Sequence, residues 1–228
     1  LSDRRQRQMC IRDSNYILLD SFRENKSLIK NSECTVHDIG DGVMCIEFTS
    51  KSNSIGEGIG HGIDQAIKMA EEEGWKGIVI GNNAKQFSVG ANLMNVGMLA
   101  MQKQFDTLDT VIEGFQNLNM RIRTSKIPVV VATQGYVFGG GCEIAMHCDA
   151  GIYAAESYIG LPEVGVGLLP AGGGVKELAL RASNKFFEGD VKIPTLLDHF
   201  KTIATATIST SAHEAYNLGF LEEGRDHV

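Results

Sequence analysis

The chain has 228 residues, enough for a sizeable hydrophobic core, and 43% of them are apolar. Its net charge of -7 argues against nucleic-acid binding, which rests on clustered Lys and Arg. No apolar run approaches the length of a membrane span.

The first 14 residues, "LSDRRQRQMCIRDS", are basic and lack the apolar run of a secretory signal. They share no periodicity with the rest of the chain and look like translated sequencing-adapter sequence. Residues 1–14 are therefore expected to be a non-native tail on a fragment, 15–33 a linker, and 34–228 one domain. "GVMCIEF" (42–48) is a short β-rich run and predicts a strand. In "HGIDQAIKMAEEEG", Ile63, Ala66, Ile67 and Ala70 recur at helical spacing, with Gly74 as the C-cap. "WKGIVIGN" predicts a strand covered on both faces, followed by the loop "NAKQFSVGANLMN" and a helix.

From Met98 the apolar residues Met98, Met101, Phe105, Leu108, Ile112, Phe115 and Ile122 alternate three and four apart, broken only by Asn119. That row predicts one long amphipathic helix with a coiled-coil-like seam. Packing on its own domain is the favoured reading, against a lid over a ligand or a seam to another domain. "KIPVVVATQG" predicts a buried strand with Pro128 at its start, where a missing donor is tolerated. The glycine triplet of "FGGGCE" then leads into a helix, and "DAGIYAAE" is a further strand. Helices are expected over Leu196–Ala204 and, behind Ser/Thr caps, within "STSAHEAYNLGFL".

Alternating strands and helices indicate an α/β protein. The junctions at 79–94 and 129–147 share one plan, strand to glycine loop to helix, and such strand ends are where α/β sheets gather ligands. Bare glycine backbone lets a ligand approach and leaves N–H groups free. One N–H from each junction converging on one oxygen would make an oxyanion hole. Phosphate binding is the other use of such loops, although neither a G-x-G-x-x-G nor a Walker sequence is present.

Glu143 falls in the first turn of its helix, where the dipole also favours a plain capping carboxylate. Glu163, in "GLPEVGVGLLPAGGG", could by itself be a solvated loop acid. Together, two acids flanking one reacting group can divide acid and base work. No G-x-S-x-G offers a competing serine nucleophile. The five cysteines, Cys10, Cys34, Cys45, Cys142 and Cys148, are odd in number and show no C-x-x-C, which favours reduced thiols and a cytoplasmic setting. Cys142, His147 and Cys148 would point to different sides of a helix, so packing is preferred to metal binding.

Four segments, "KQFSVGANL", "KIPVVVATQGYVFGGGCEIAMHCD", "IGLPEVGVGLLPAGGG" and "SAHEAYNLGFL", resemble the enoyl-CoA hydratase/isomerase (crotonase) superfamily in order and approximate spacing. The resemblance covers roughly residues 34–224. With the long helix, it is nearest to the hydratase part of bacterial multifunctional proteins that also carry a 3-hydroxyacyl-CoA dehydrogenase part. It implies a crotonase-like fold of repeated ββα units, a long inserted amphipathic helix, and a C-terminal helical region cut short. It further implies an oxyanion hole from the N–H groups of Ala91 and Gly140, with Glu143 and Glu163 as the catalytic pair. The acyl-CoA would run past Val89, Ala91, Asn92, Leu93, Met94 and Gly140.

The implied reaction is syn addition of water to a trans-2-enoyl-CoA in fatty-acid β-oxidation. Glu163 is the favoured proton donor and Glu143 orients the water, the partition of roles being open. No cofactor is implied for this chain. The CoA thioester is substrate, and NAD would enter only through a dehydrogenase part outside it. The expected partners are further copies of the chain or that dehydrogenase part, with no nucleic acid and no membrane span. Δ3-Δ2 enoyl-CoA isomerisation and a non-catalytic acyl-CoA-binding fragment are the alternatives. Two departures stand out: Asn92 occupies a position where many relatives have Asp, and "SKSNSIG" matches the CoA-contacting loop only loosely.

Overall fold

The computed structural model describes residues 17–23, 27–191 and 193–228. The 1–14 segment read as a tail lies outside them. Within the stretch read as a linker, α1 (Asp20–Arg23) is followed by β1 (Ile29–Lys30). Arg23 of α1 binds the buried Glu47, and β1 pairs antiparallel with β2 (Cys34–Asp38).

β2 pairs antiparallel with β3 (Val43–Phe48), and the sheet continues in parallel through β4 (Gly77–Ile80), β5 (Val129–Thr133), β7 (Ala150–Tyr153) and β9 (Asp226–His227). A second, two-stranded parallel sheet is formed by β6 (Tyr136–Phe138) and β8 (Tyr158–Gly160). The expected repetition of ββα units is visible in chain order. β5 and β6 lead into α5 (Gly140–His147), and β7 and β8 into α6 (Gly174–Asn184).

The main sheet is more one-sided than its apolar runs predict. In β4, Ile78 and Ile80 are buried while Val79 is half-buried; in β5, Val129, Val131 and Thr133 are buried while Val130 and Ala132 are half-buried. The fully buried face is covered in part by α2 (Glu57–Glu73), whose Ile63, Ala66, Ile67 and Ala70 form the predicted stripe, extended by the buried Ile59. Gly74 ends α2 in the left-handed region at φ 76°.

The single long helix predicted from Met98 is instead two, α3 (Leu93–Met101) and α4 (Phe105–Arg123). The break is a Schellman closure. Gln104 N–H donates to the Leu99 carbonyl at 2.9 Å and Lys103 N–H to the Ala100 carbonyl at 3.0 Å. Lys103 takes the left-handed φ of 56° that glycine usually supplies, so no residue type announced the stop. Only the C-terminal part of the apolar row is deeply packed: Leu118 and Ile122 are buried, while Met98, Met101 and Phe105 are exposed. Paired Arg121–Glu71 hydrogen bonds of 2.9 and 2.6 Å tie α4 to α2.

Toward the C-terminus, α7 (Ile193–Ala204) starts three residues before the predicted Leu196. α8 (Ala212–Asn217) has Ser211 as its N-cap, the hydroxyl accepting from Glu214 N–H at 3.1 Å. No helix among the described residues is long and apolar enough to cross a membrane.

Two glycines of α2 separate packing from propensity. A Cβ on Gly62 would fall 2.1 Å from Cys34 Sγ, whereas on Gly60 its nearest neighbour is Leu118 at 3.7 Å. Gly62→Ala is expected to cost about 2 kcal/mol by urea denaturation. Gly60→Ala, gaining helix propensity, should stabilise by up to about 1 kcal/mol.

Candidate active site

The two glycine junctions meet. Ile55 N–H donates to the Gly90 carbonyl at 2.8 Å and Asn92 N–H to the Ile55 carbonyl at 3.2 Å, which leaves the intervening Ala91 N–H outside the bridge. On the other side, Gly139 N–H donates to the Gly160 carbonyl at 2.9 Å and α5 begins at Gly140. A first-turn N–H has no partner within its own helix. Among the described residues, neither Ala91 N–H nor Gly140 N–H has an acceptor. Gly90, at φ +89°, lies against the second loop: a Cβ there would sit 3.0 Å from the Phe138 oxygen and 3.3 Å from Gly140 N.

The first loop is braced from below by residues that sequence reasoning missed. The buried Ser88 hydroxyl donates to the Asn53 carbonyl at 2.7 Å and accepts from Gly90 N–H at 3.1 Å. Asn53 Nδ2 in turn donates to the Gln86 carbonyl at 3.0 Å. Ser88 lies inside "KQFSVGANL", but no spacing rule distinguishes a bracing serine from a surface one. In the same segment, Asn92 caps α3, its Oδ1 accepting from Met94 N–H at 3.2 Å. Val89, Leu93 and Met94 are exposed beside the loop, Leu93 and Met94 at one end of an apolar groove that continues to Met98 and Met101.

Glu143, on α5, is buried at 2% exposure, and its Oε1 accepts from Gly174 N–H at 2.8 Å. Burial pushes its carboxyl up to about 7; the Gly174 N–H opposes that rise, the Glu163 charge adds to it, and the N–H groups of Gly172 and Gly173 also oppose it. Glu163 begins a 3-10 turn, Glu163–Val166, and burial likewise pushes its carboxyl up to about 7. Its Oε2 is buried without a hydrogen-bond partner among the described residues. Its Oε1 faces the start of α5, 2.9 Å from where a Cβ of Gly139 would stand.

The structure thus brings Ala91, Gly140, Glu143 and Glu163 to one place, around the N-terminus of α5. Phe115 of α4 closes one side, its ring within 3.1 Å of a Cβ position on Gly140 and 2.3 Å of one on Gly172. The residues weighed as metal ligands are otherwise engaged. His147 Nδ1 bonds the Glu143 carbonyl at 2.7 Å, Cys148 Sγ donates to the Ile144 carbonyl at 3.4 Å, and Cys142 is buried in the core. Two N–H donors for an oxygen, beside two acids that titrate near neutrality, can polarise a carbonyl and move protons at the adjoining carbons.

Comparison with known proteins gives the family. The enoyl-CoA hydratase/isomerase family profile matches residues 38–188. A probable 3-hydroxyacyl-CoA dehydrogenase of Bacillus subtilis (strain 168) is 41% identical over 208 residues, 91% of this chain and 26% of that protein. The mitochondrial enoyl-CoA hydratase of Pongo abelii is 34% identical over 139 residues, 60% of this chain and 46% of that one. Among solved structures, an enoyl-CoA hydratase from Thermoplasma volcanium GSS1 shares the fold with a TM-score of 0.69 at 22% identity, covering 87% of this chain and 72% of that one. The chain spans about a quarter of the length of the relatives that match most of it.

The raised carboxyl of Glu143 links stability to pH. Its folded value of about 7 exceeds the usual unfolded value of about 4.3, so its contribution is full below about 4.3 and is lost as pH rises through about 7. Glu143→Gln, neutral throughout, is expected to melt roughly 4 °C above wild type at pH 8, the gap closing toward pH 5. A gap independent of pH would show that burial does not hold the carboxyl up.

Proposed function

The chain belongs to the enoyl-CoA hydratase/isomerase family, and from that premise we propose that it adds water across the double bond of a trans-2-enoyl-CoA to give the 3-hydroxyacyl-CoA. The observation that carries this reading is the pair of acids, Glu143 and Glu163, beside two N–H groups free to bind one oxygen.

In this reading the thioester oxygen rests on the N–H groups of Ala91 and Gly140. The conjugated C3 becomes electrophilic, and water attacks it while passing a proton to the Glu143 carboxylate. The π electrons move to C2–C1–O as an enolate held by the same two N–H groups. The enolate then takes a proton at C2 from Glu163, which completes addition on one face, and exchange of a proton between the two acids restores the start. The hydrogen bonding favours this partition of roles. Glu143 is approached by three backbone N–H groups that stabilise its charged form, whereas at Glu163 only its own N–H does so and Oε2 is buried with no donor.

The exposed Val89, Leu93 and Met94 would flank the CoA tail together with Asn92. Δ3-Δ2 isomerisation needs an acid at Glu163 but generally none at Glu143, so the presence of Glu143 in the site favours hydration. The name of the Bacillus relative supports a parent protein that couples this step to a 3-hydroxyacyl-CoA dehydrogenase, and two Rickettsia relatives named putative fatty acid oxidation complex trifunctional enzymes support a setting in fatty-acid β-oxidation. Hydration changes no oxidation state overall, so NAD would serve that other part. Such a setting is cytoplasmic, in keeping with the four buried free thiols of Cys34, Cys45, Cys142 and Cys148.

Hydration of crotonyl-CoA tests the reading. Glu143→Gln and Glu163→Gln are each expected to lower kcat at least about 100-fold. A 3-enoyl-CoA should still be isomerised by Glu143→Gln if the alternative reaction is the true one. Binding of crotonyl-CoA by wild type with no turnover would instead make the chain a non-catalytic acyl-CoA module.

A further inference from the structure

Asn119, the residue that interrupts the apolar row of α4, is fully buried. Its Nδ2 donates to the Gly172 carbonyl at 2.8 Å, and its Oδ1 is buried without a partner among the described residues. A leucine would continue the row and carry no such unpaired oxygen, so packing alone does not account for an amide here. One turn earlier on the same helix, Gln116 Nε2 donates to the Ala171 carbonyl at 2.7 Å. Two side-chain amides of α4 therefore hold two consecutive carbonyls of the Ala171–Gly174 turn.

We propose that Asn119, assisted by Gln116, is a positioning residue for Glu143, acting through the Gly172–Gly174 turn. A trans peptide is planar, with its C=O and N–H pointing in opposite directions. Holding the Ala171 oxygen fixes the N–H of Gly172, and holding the Gly172 oxygen fixes the N–H of Gly173. Those N–H groups, with that of Gly174, are the ones that face the Glu143 carboxylate. Their glycines leave the turn no side chain with which to hold itself: a Cβ on Gly172 would fall 2.4 Å from Glu143 Oε2 and one on Gly173 2.8 Å from the His147 ring. Rigidity has to come from outside, and α4 supplies it.

Other charged groups surround the pair without replacing this role. Glu163 faces Glu143 across the site. On the far side His147 bonds the Glu143 backbone carbonyl and meets Lys176 Nζ at 3.0 Å, and Lys176 contacts Glu177 at 2.8 Å. Arg123 reaches Glu177 at 2.5 Å.

The consequence for catalysis rests on the hydratase reading, but the consequence for Glu143 does not, and the test separates them. Carboxyl 13C NMR of the substrate-free protein, with Glu143 assigned by its loss in Glu143→Gln, gives the Glu143 titration midpoint directly. In Asn119→Leu that midpoint is expected to rise by roughly half to one pH unit, because N–H groups that favour the carboxylate lose their orientation. Hydration of crotonyl-CoA should show kcat down roughly tenfold, KM within about twofold, and the acidic limb of the pH profile displaced upward by the same shift. Gln116→Met, at an exposed site, should move the midpoint in the same direction by less. An unmoved Glu143 midpoint in folded Asn119→Leu overturns the proposal; if that variant does not fold, an unmoved midpoint in Gln116→Met does so. A moved midpoint in a protein whose wild type hydrates nothing upholds the positioning role and overturns the hydratase reading.

Discussion

The site depends on the approach of two bare backbones, Gly90 against Gly139 and Gly140. With a Cβ at Gly90 only 3.0 Å from the Phe138 oxygen, any side chain would force the loops apart. The separation of the Ala91 and Gly140 N–H groups would change with them. The small second sheet fixes this distance. The Ser88–Val137 bridge joins the first loop to β6, β6 pairs with β8, and the chain leaving β8 at Gly160 continues to Pro162 and Glu163. Gly139 N–H closes the circuit on the Gly160 carbonyl. A two-stranded sheet has little stability by itself. Here it acts as a frame that ties both glycine loops to the turn that carries Glu163.

The other acid is positioned by a helix held at both ends. α5 has only eight residues, too few to persist without tertiary support. At its C-terminus the Met146 carbonyl accepts from Arg123, Arg181 and Arg225, side chains that arrive from α4, α6 and the segment before β9. Cations there complement the helix dipole. Its last residue, His147, is held in the neutral form mainly by burial, so Nδ1 donates to the Glu143 carbonyl while Nε2 accepts from Lys176. Burying Glu143 at the other end is costly, and that same cost raises its carboxyl toward neutrality, where a proton can be taken up and returned.

The sequence made the repeated strand–glycine–helix plan legible because each junction carries its own composition signal. The four site positions emerged from two glycine loops and two acids, tied together by resemblance. What stayed hidden was carried by residues without distinctive type. Lys103 stops a helix in a conformation normally marked by glycine, so the 3-4 periodicity ran through the break unaltered. Ser88 and Asn53 brace the first glycine loop by hydrogen bonds from segments 35 residues apart, which no local pattern records. β6 and β8 are three residues each, too short for an alternation signal. Asn119 was visible as an interruption, but its meaning required the partner 53 residues away.

The chain contains two glycine triplets at this site, 139–141 and 172–174, and they do opposite work. In the first, the Gly140 N–H, at a helix start, has no acceptor among the described residues. In the second, the N–H groups are turned inward onto the Glu143 carboxylate. Composition does not distinguish these cases, since bare backbone permits either. The difference lies in what holds each loop: the Gly160 carbonyl accepts from Gly139 N–H at the first triplet, and the amides of Gln116 and Asn119 donate to the Ala171 and Gly172 carbonyls at the second. A glycine-rich loop thus acquires its chemistry from the acceptor and donor groups around it, and α4, exposed over its first turns and buried over its last, contributes here through those two amides and the Phe115 ring.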